Sequence, residues 1–563
     1  MKCEAVRAPA RAVFFGTCHR VKAPPAPSDT PSLRRWARFR PSTPWLVVLA
    51  ASILFRLPPL INASGTNSDA AIVGIQAMHI LRGELSWFLL GSGYQTSVDA
   101  LVAALVFFFT GPSPLALMGS TLVEHIVLTW LVFSVLRRTF ARLSATSPDR
   151  AGIWAAILVA PLVFTPDPVH TYVLYPPRQA SLTLVFLSLW LLDGAVTSAR
   201  PRIRLALGGV VAGLACFADP YGLLFLPGVA LFGLLCSLDG AEPLFPLRRV
   251  VFERLGVTLA GALVGLIPYQ LLIHHPLASR GQTKLSLAAL PHNLTLLQEV
   301  CLPWLFSTRI YAARHMSDYA PWETGPAYHA FQVVAAVLLG LCLITGAELF
   351  VFARKIPWEI RRLGLVGAAM IPVTIGGFLV SPMVMDHFSS RYLVAILLLA
   401  PFALAPLASL LKPRWLALVL APYLISAAVS GWVSYAPFGL TAHPSLATDA
   451  RLGEVLRARG IHHAVADYWA SYRLAFLYRE DPIVVPKNEG EDRHKPSRDA
   501  FEAAPVVAYI HDEYRSRESL AEQEKLIRSG ATPFEPELER FTLDQFTVLI
   551  LRRKVVDSRT VFR

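Results

Sequence analysis

Three ionisable residues stand where apolar runs give way to polar sequence, and their types suit group-transfer chemistry. Asp69, in Asn67-Ser68-Asp69-Ala70-Ala71, falls in the first turn of an expected short helix. The positive end of a helix favours a carboxylate there, which could serve as a general base or a metal ligand. Asp167, in Phe164-Thr165-Pro166-Asp167-Pro168, is held in an extended turn by prolines on both sides. Arg391, in Asp386-His387-Phe388-Ser389-Ser390-Arg391-Tyr392, offers a planar fork that matches a phosphate. Arg178 is a second cation of this kind, and His170, Tyr175, Tyr94, Arg82 and His387 are candidate substrate contacts. Each has an ordinary alternative: a helix-start acid, a loop cap, or an arginine reaching out to lipid headgroups. Asp219-Pro220 reads as a tight turn. Glu124 and His125 fall inside an apolar segment, facing a cavity or pairing within the bundle.

The elements that must position these groups are set by composition. The 563 residues have a mean hydropathy of +0.48, 54% hydrophobic and only 16% charged residues. A soluble domain runs near 25% charged, so a soluble enzyme, a disordered chain and a secreted disulfide scaffold are excluded. The six cysteines are scattered without a CxxC pair, which indicates neither a zinc knuckle nor a disulfide framework. Apolar runs of about the 20 residues a spanning helix needs occur near 45–61, 115–136, 151–166, 179–197, 205–219, 221–237, 255–273, 329–352, 364–381, 392–411 and 415–433, eleven in all. With the N-terminus inside, every inside loop is basic: Arg137, Arg138 and Arg150; Arg200, Arg202 and Arg204; Arg248, Arg249 and Arg254; Arg354, Lys355, Arg361 and Arg362; Lys412 and Arg414. That alternation follows the positive-inside rule and accounts for the net charge of +13 without nucleic acid.

Residues 1–44 then form a basic, Pro-rich cytosolic tail, expected to be disordered and not a cleavable signal, because the first long apolar run starts only at Trp45. Residues 45–435 are the membrane domain, with outside loops at 62–114, 167–178 and 274–328. The first loop carries a helix with Ser68 as its cap, Ile72, Ile75, Met78 and His79 on its pattern, and Gly83 as its stop. It also carries an apolar stretch, Val98–Phe109, too short to span, which reads as interfacial. Residues 436–563 form a small outside α/β domain. Helices are expected at Ala447–Arg459 and Ser516–Arg528, and strands at Ile461–Ala466, Pro482–Val485 and Phe546–Leu551.

The chain resembles the GT-C superfamily of glycosyltransferases, in the branch of protein O-mannosyltransferases and the lipid A aminoarabinose transferase. The residues that carry the resemblance are Asn67-Ser68-Asp69, the helix to Gly83, Tyr94-Gln95-Thr96-Ser97-Val98-Asp99, Phe109-Thr110-Gly111-Pro112-Ser113-Pro114, Arg137-Arg138, Asp167 and Arg391-Tyr392, in that order along residues 45–435. It implies an α-helical polytopic membrane enzyme, in a bacterial inner membrane, that takes a sugar from a polyprenyl-phosphate donor to a lipid, glycan or protein acceptor. It also implies Asp69 as the catalytic carboxylate, Asp167 as its support, Arg391 on the lipid phosphate, and inversion at the anomeric centre. Ala70 departs from the pattern: many members have a second acid there, which bears on whether a divalent metal is used. No other cofactor is implied. Two other functions remain open: a transporter or lipid flippase, which would carry deep paired charges and inverted repeats, and an inactive scaffold.

Overall fold

The computed structural model describes residues 42–143, 147–238, 249–276, 278, 285–313, 319–352, 356–433, 435, 440–443, 445–514, 516, 519–535 and 539–554. Each of the eleven expected apolar runs falls on a helix or on two or three consecutive helices. Among the described residues, eight helical stretches are at least 18 residues long and apolar enough to cross a membrane, from Pro114–Ala141 to Pro413–Trp432. The helices Thr43–Phe55, Pro148–Val163 and Gln179–Ala195 are shorter, with 13, 16 and 17 residues. The first is broken by Arg56 and resumes as Leu57–Ile61. Arg56 is fully buried, and its guanidinium donates to the carbonyls of Ser52, Leu162 and Val163 at 3.0–3.2 Å. The Leu162 and Val163 carbonyls sit at the C-terminal end of the Pro148–Val163 helix, where the helix dipole favours a cation.

The helices Pro201–Ala218 and Arg249–Ile273 cross in backbone contact. Gly209 and Gly213 on one helix face Gly261 and Gly265 on the other. A methyl group on any of the four would lie 2.1–2.4 Å from backbone atoms of the opposite helix. Small residues four apart allow this close approach, on which helix association in lipid depends. At the end of the Pro114–Ala141 helix remote from its start, Asp193 is fully buried among three guanidiniums, Arg362 at 2.7 Å, Arg142 at 2.8 Å and Arg138 at 3.1 Å.

The expected first-loop helix forms as Ser68–Leu81, but its cap is Asn67, whose side chain accepts from the Ala70 N–H at 2.8 Å. Ser68 is diverted, because its hydroxyl donates to the Tyr468 carbonyl at 2.6 Å. The Val98–Thr110 helix buries Ala100, Ala103, Ala104 and Phe107 and exposes Leu101, Leu105, Phe108 and Phe109. A short hairpin, β1 (Tyr311–Ala313) and β2 (Tyr319–Pro321), lies in the 274–328 loop.

The C-terminal region builds a five-stranded sheet from β3 (His463–Ala466), β4 (Ile483–Pro486), β5 (Val506–Asp512), β6 (Glu539–Leu543) and β7 (Phe546–Arg552). The order is β4-β3-β5-β7-β6, with β3 parallel to β4 and β5, and β7 antiparallel to β5 and β6. One apolar core joins the sheet residues Ile510 and Val548 to Leu452 on Ser445–Ala458, to Phe476 on Tyr468–Leu477, and to Ala70, Val73 and Ile75 of the first-loop helix. The Phe476 ring lies where a side chain at Gly74 would stand, 2.6 Å from a methyl placed there. The first-loop helix is thus packed as part of the C-terminal core.

Candidate active site

That packing fixes Asp69. It sits in the first turn of the Ser68–Leu81 helix, and its Oδ1 accepts from the Tyr468 hydroxyl at 2.5 Å. Burial, and then the Asp69 carboxylate, push the Tyr468 hydroxyl far above the usual phenol range, so it remains protonated and donates. Arg493 backs this pair. One of its amino groups donates to the Tyr468 oxygen at 3.3 Å and the other to the Gly91 carbonyl at 2.9 Å. The other Asp69 oxygen lies 3.9 Å from Arg391, with the two side chains 31% and 45% exposed. Both remain accessible to a substrate.

Arg391 belongs to the short 3-10 helix His387–Leu393, capped by Asp386, whose carboxylate accepts from the Phe388 N–H at 3.0 Å. From Arg391 a chain of contacts runs inward. Arg391 lies 5.4 Å from the centroid of the Tyr392 ring, and Arg178 lies 4.7 Å from it. Arg178 is ion-paired with Asp219 at 3.1 Å, and Gln95 donates to the same carboxylate oxygen at 2.9 Å. Asp219 also accepts from the Tyr221 N–H at 2.8 Å, so it makes both the expected turn and a buried ion pair. Arg178 has φ of 107°, and its N–H donates to Asp99 at 3.1 Å, as does that of Ala180. Asp99 therefore fixes the bend that turns the Arg178 side chain toward Tyr392. Tyr94 lies within the same field. Burial pushes its hydroxyl up, and Arg178, Asp219, Tyr392 and Arg391 all act on it.

The remaining sequence candidates lie elsewhere. Asp167 is buried at the start of the Asp167–Leu174 helix, and its N–H donates to Ser430 at 3.4 Å. Its charge acts on Tyr175, whose hydroxyl is pushed up to about 12, chiefly by burial. The Asp167–Leu174 helix packs against the His387–Leu393 segment, although the chain of contacts from Asp69 to Asp219 does not pass through Asp167. The side chain of His170 lies outside the described residues. His387 stacks on Phe388 with centroids 4.1 Å apart. Arg82, at the far end of the Asp69 helix, pairs with Glu480 at 2.7 Å. Tyr468, Arg493, Asp99 and Gln95 were not singled out by the sequence. Asp99 and Gln95 lie within a segment already noted, whereas nothing local marks Tyr468 or Arg493.

The groups around Asp69 do not suit a divalent metal. One carboxylate faces two guanidiniums and a protonated phenol, and Ala70, where a second acid would stand, is fully buried. They suit a different task. A carboxylate oriented by Tyr468 can take a proton, and the neighbouring guanidiniums can stabilise an anion that develops beside it.

No family model matches this chain, and no curated protein matches it significantly. Among solved structures it is similar to ArnT from Cupriavidus metallidurans in the apo state (TM-score 0.46, 13% identity, 90% of this chain and 98% of that one). It is also similar to the same protein bound to undecaprenyl phosphate (TM-score 0.43, 13% identity, 91% and 98%). A third is the Archaeoglobus fulgidus oligosaccharyltransferase tethered to an acceptor peptide (TM-score 0.44, 11% identity, 83% and 68%). At these levels of similarity, the chemistry of the site has to come from the chain's own residues.

Proposed function

We propose that this chain is a membrane glycosyltransferase of the GT-C type that moves a sugar from a polyprenyl-phosphate donor to an acceptor hydroxyl on the extracytoplasmic face of a bacterial inner membrane. One observation carries the proposal: an accessible carboxylate, Asp69, held by a neutral donor and lying 3.9 Å from an accessible guanidinium, Arg391. A donor with a long lipid tail partitions into the bilayer, so its reacting centre has to be met at a membrane surface.

Asp69 takes the proton of the acceptor hydroxyl as that oxygen attacks the anomeric carbon. The bond from the anomeric carbon to the phosphate oxygen breaks on the opposite face, and a one-step displacement inverts the centre, as in inverting glycosidases. The lipid phosphate leaves already charged and needs no general acid. Arg391 meets it, and Arg178 adds positive charge across the Tyr392 ring. Asp167 supports the site from the helix packed against the Arg391 segment. Tyr94 bounds the space around the sugar.

The test is turnover of a panel of labelled polyprenyl-phosphate sugars by the purified chain in lipid, with Asp69→Asn alongside. Turnover of one donor by the wild type and none by the variant supports the proposal. A variant that matches the wild type on a working donor overturns the role of Asp69.

A further inference from the structure

At the other end of the Asp69 helix, about 15 Å along it, three side chains from distant parts of the chain converge. His79 lies in the last turn of that helix, Glu480 in the turn after Tyr468–Leu477, and His494 just before Lys495–Ala503. One donor atom from each falls within 4.8 Å of the others, and no other group of three such donors converges among the described residues. We propose that His79, Glu480 and His494 bind a divalent transition metal of the zinc class, which fastens the first-loop helix to the C-terminal α/β region.

The donors are arranged as ligands of such a site would be. His79 offers Nε2 to Glu480 at 2.9 Å, while its Nδ1 lies 2.8 Å from Glu84. A carboxylate on the far nitrogen of a ligating imidazole fixes the ring and its tautomer. His494 directs Nδ1 to the Ser497 hydroxyl at 2.8 Å, which leaves its other nitrogen to bind. The two rings meet edge to face with centroids 4.7 Å apart. Glu480 stands at φ of +65°, after Arg479 at +54°, a backbone held in the left-handed region at the position where the carboxylate is presented. Arg82 holds the outer Glu480 oxygen at 2.7 Å, and the inner one faces His79. Glu480 and His494 also line a small, mostly apolar cavity together with Tyr472 and Ser497.

Two histidines and one carboxylate form a common zinc set. With zinc bonds of about 2.0–2.1 Å, tetrahedral donors stand about 3.3 Å apart, so the present separations close on a metal by side-chain movement alone. Charge also favours it. Glu480 and Glu84 face one arginine, Arg82, and with both imidazoles neutral the cluster carries one net negative charge.

The experiment uses the full chain in detergent or nanodiscs, grown with added zinc, freed of loose metal on a desalting column and measured for bound zinc. The expected result is about one zinc per chain, with His494→Ala and Glu480→Gln reduced to a tenth or less, and a fall in melting temperature on chelation in the wild type alone. Glu84 is largely exposed, so Glu84→Gln should fold normally and bind zinc about 10- to 100-fold more weakly. Arg82→Ala, which breaks an ion-pair network but no metal bond, should retain its zinc. The proposal is overturned if the wild type holds less than a tenth of an equivalent, or if His494→Ala holds as much as the wild type. Zinc in Asp69→Asn should equal that in the wild type, so the result stands or falls apart from the transferase proposal.

Discussion

Tyr468→Phe removes a single oxygen. The ring stays, and with it the edge contacts to Trp469 and Tyr472 at centroid distances of 5.1 and 5.9 Å. What is lost is the 2.5 Å hydrogen bond to Asp69 and the link through Arg493 to Gly91. A hydrogen bond to a charged group contributes about 1.5–3 kcal/mol. At roughly 1.36 kcal/mol per factor of ten, complete loss corresponds to about a 10- to 150-fold change in rate. The Asp69 side chain is about one-third exposed, so water restores part of the bond, which places the expected fall at about 10- to 30-fold. It should appear in kcat. Released from Tyr468, the carboxylate turns to the cation 3.9 Å from its other oxygen and is drawn away from the acceptor. The assay is release of labelled sugar from the polyprenyl-phosphate donor in nanodiscs, with kcat and KM resolved. A kcat within twofold of the wild type, or a loss confined to the donor KM, would refute the idea that the C-terminal region orients the base.

Other expectations follow from the same geometry. Asp69→Asn should lower turnover by about 10²- to 10⁴-fold, the usual worth of a general base, while donor lipid binding, measured by co-purification, is retained. Arg178→Ala leaves Asp219 buried with only Gln95 and the turn N–H, a loss of about 3–5 kcal/mol for a broken buried pair. The melting temperature should drop sharply, and Arg178→Ala combined with Asp219→Ala should recover the fold without recovering activity. Gly91→Ala meets a left-handed φ of 65° and sets a methyl 2.2 Å from the Arg493 side chain and 2.7 Å from its backbone. It should cost about 1–2 kcal/mol in backbone conformation alone, seen by thermal melting, and it should reproduce the kcat defect of Tyr468→Phe. Arg391→Lys keeps the charge but loses the planar fork, so the donor KM should rise, and restoring charge with added salt should not correct it.

The apolar helices are legible in the sequence because a spanning helix announces itself by length and apolarity. Asp69, Arg178 and Arg391 stand out for the same reason: they are charges at the ends of apolar runs, two of them against the expected charge bias. Their common chain of contacts was not legible, because its connector is Tyr392, an aromatic residue at the mouth of a span that looks like ordinary interfacial sequence. Tyr468 and Arg493 reach Asp69 across about 400 residues of chain, and no local pattern encodes a contact of that range. The helix Tyr468–Leu477 is hidden because its aromatic residues point into a core shared with the first-loop helix, which blurs any single apolar stripe. The strand Val506–Asp512 is hidden because a strand buried on both faces reads as one apolar run. Ser68 looked like the cap because capping residues precede it and follow it, and only the docked Tyr468 carbonyl decides between Asn67 and Ser68.

The glycine-lined crossing of Pro201–Ala218 with Arg249–Ile273 has a mechanical consequence. Helices separated by long side chains can slide past each other as those chains change rotamer, but two backbones in contact have no such cushion. When the surrounding bilayer thins or thickens, a helix answers the mismatch by tilting, and these two have to tilt as one rod. Asp219 is the capping residue at the end of that rod, and Arg178 is tied to it. Membrane thickness would thereby be geared to the position of Arg178, the cation proposed to act on the donor phosphate. Turnover measured across lipids of graded chain length should pass through an optimum, and a bulkier residue at Gly213 should flatten it.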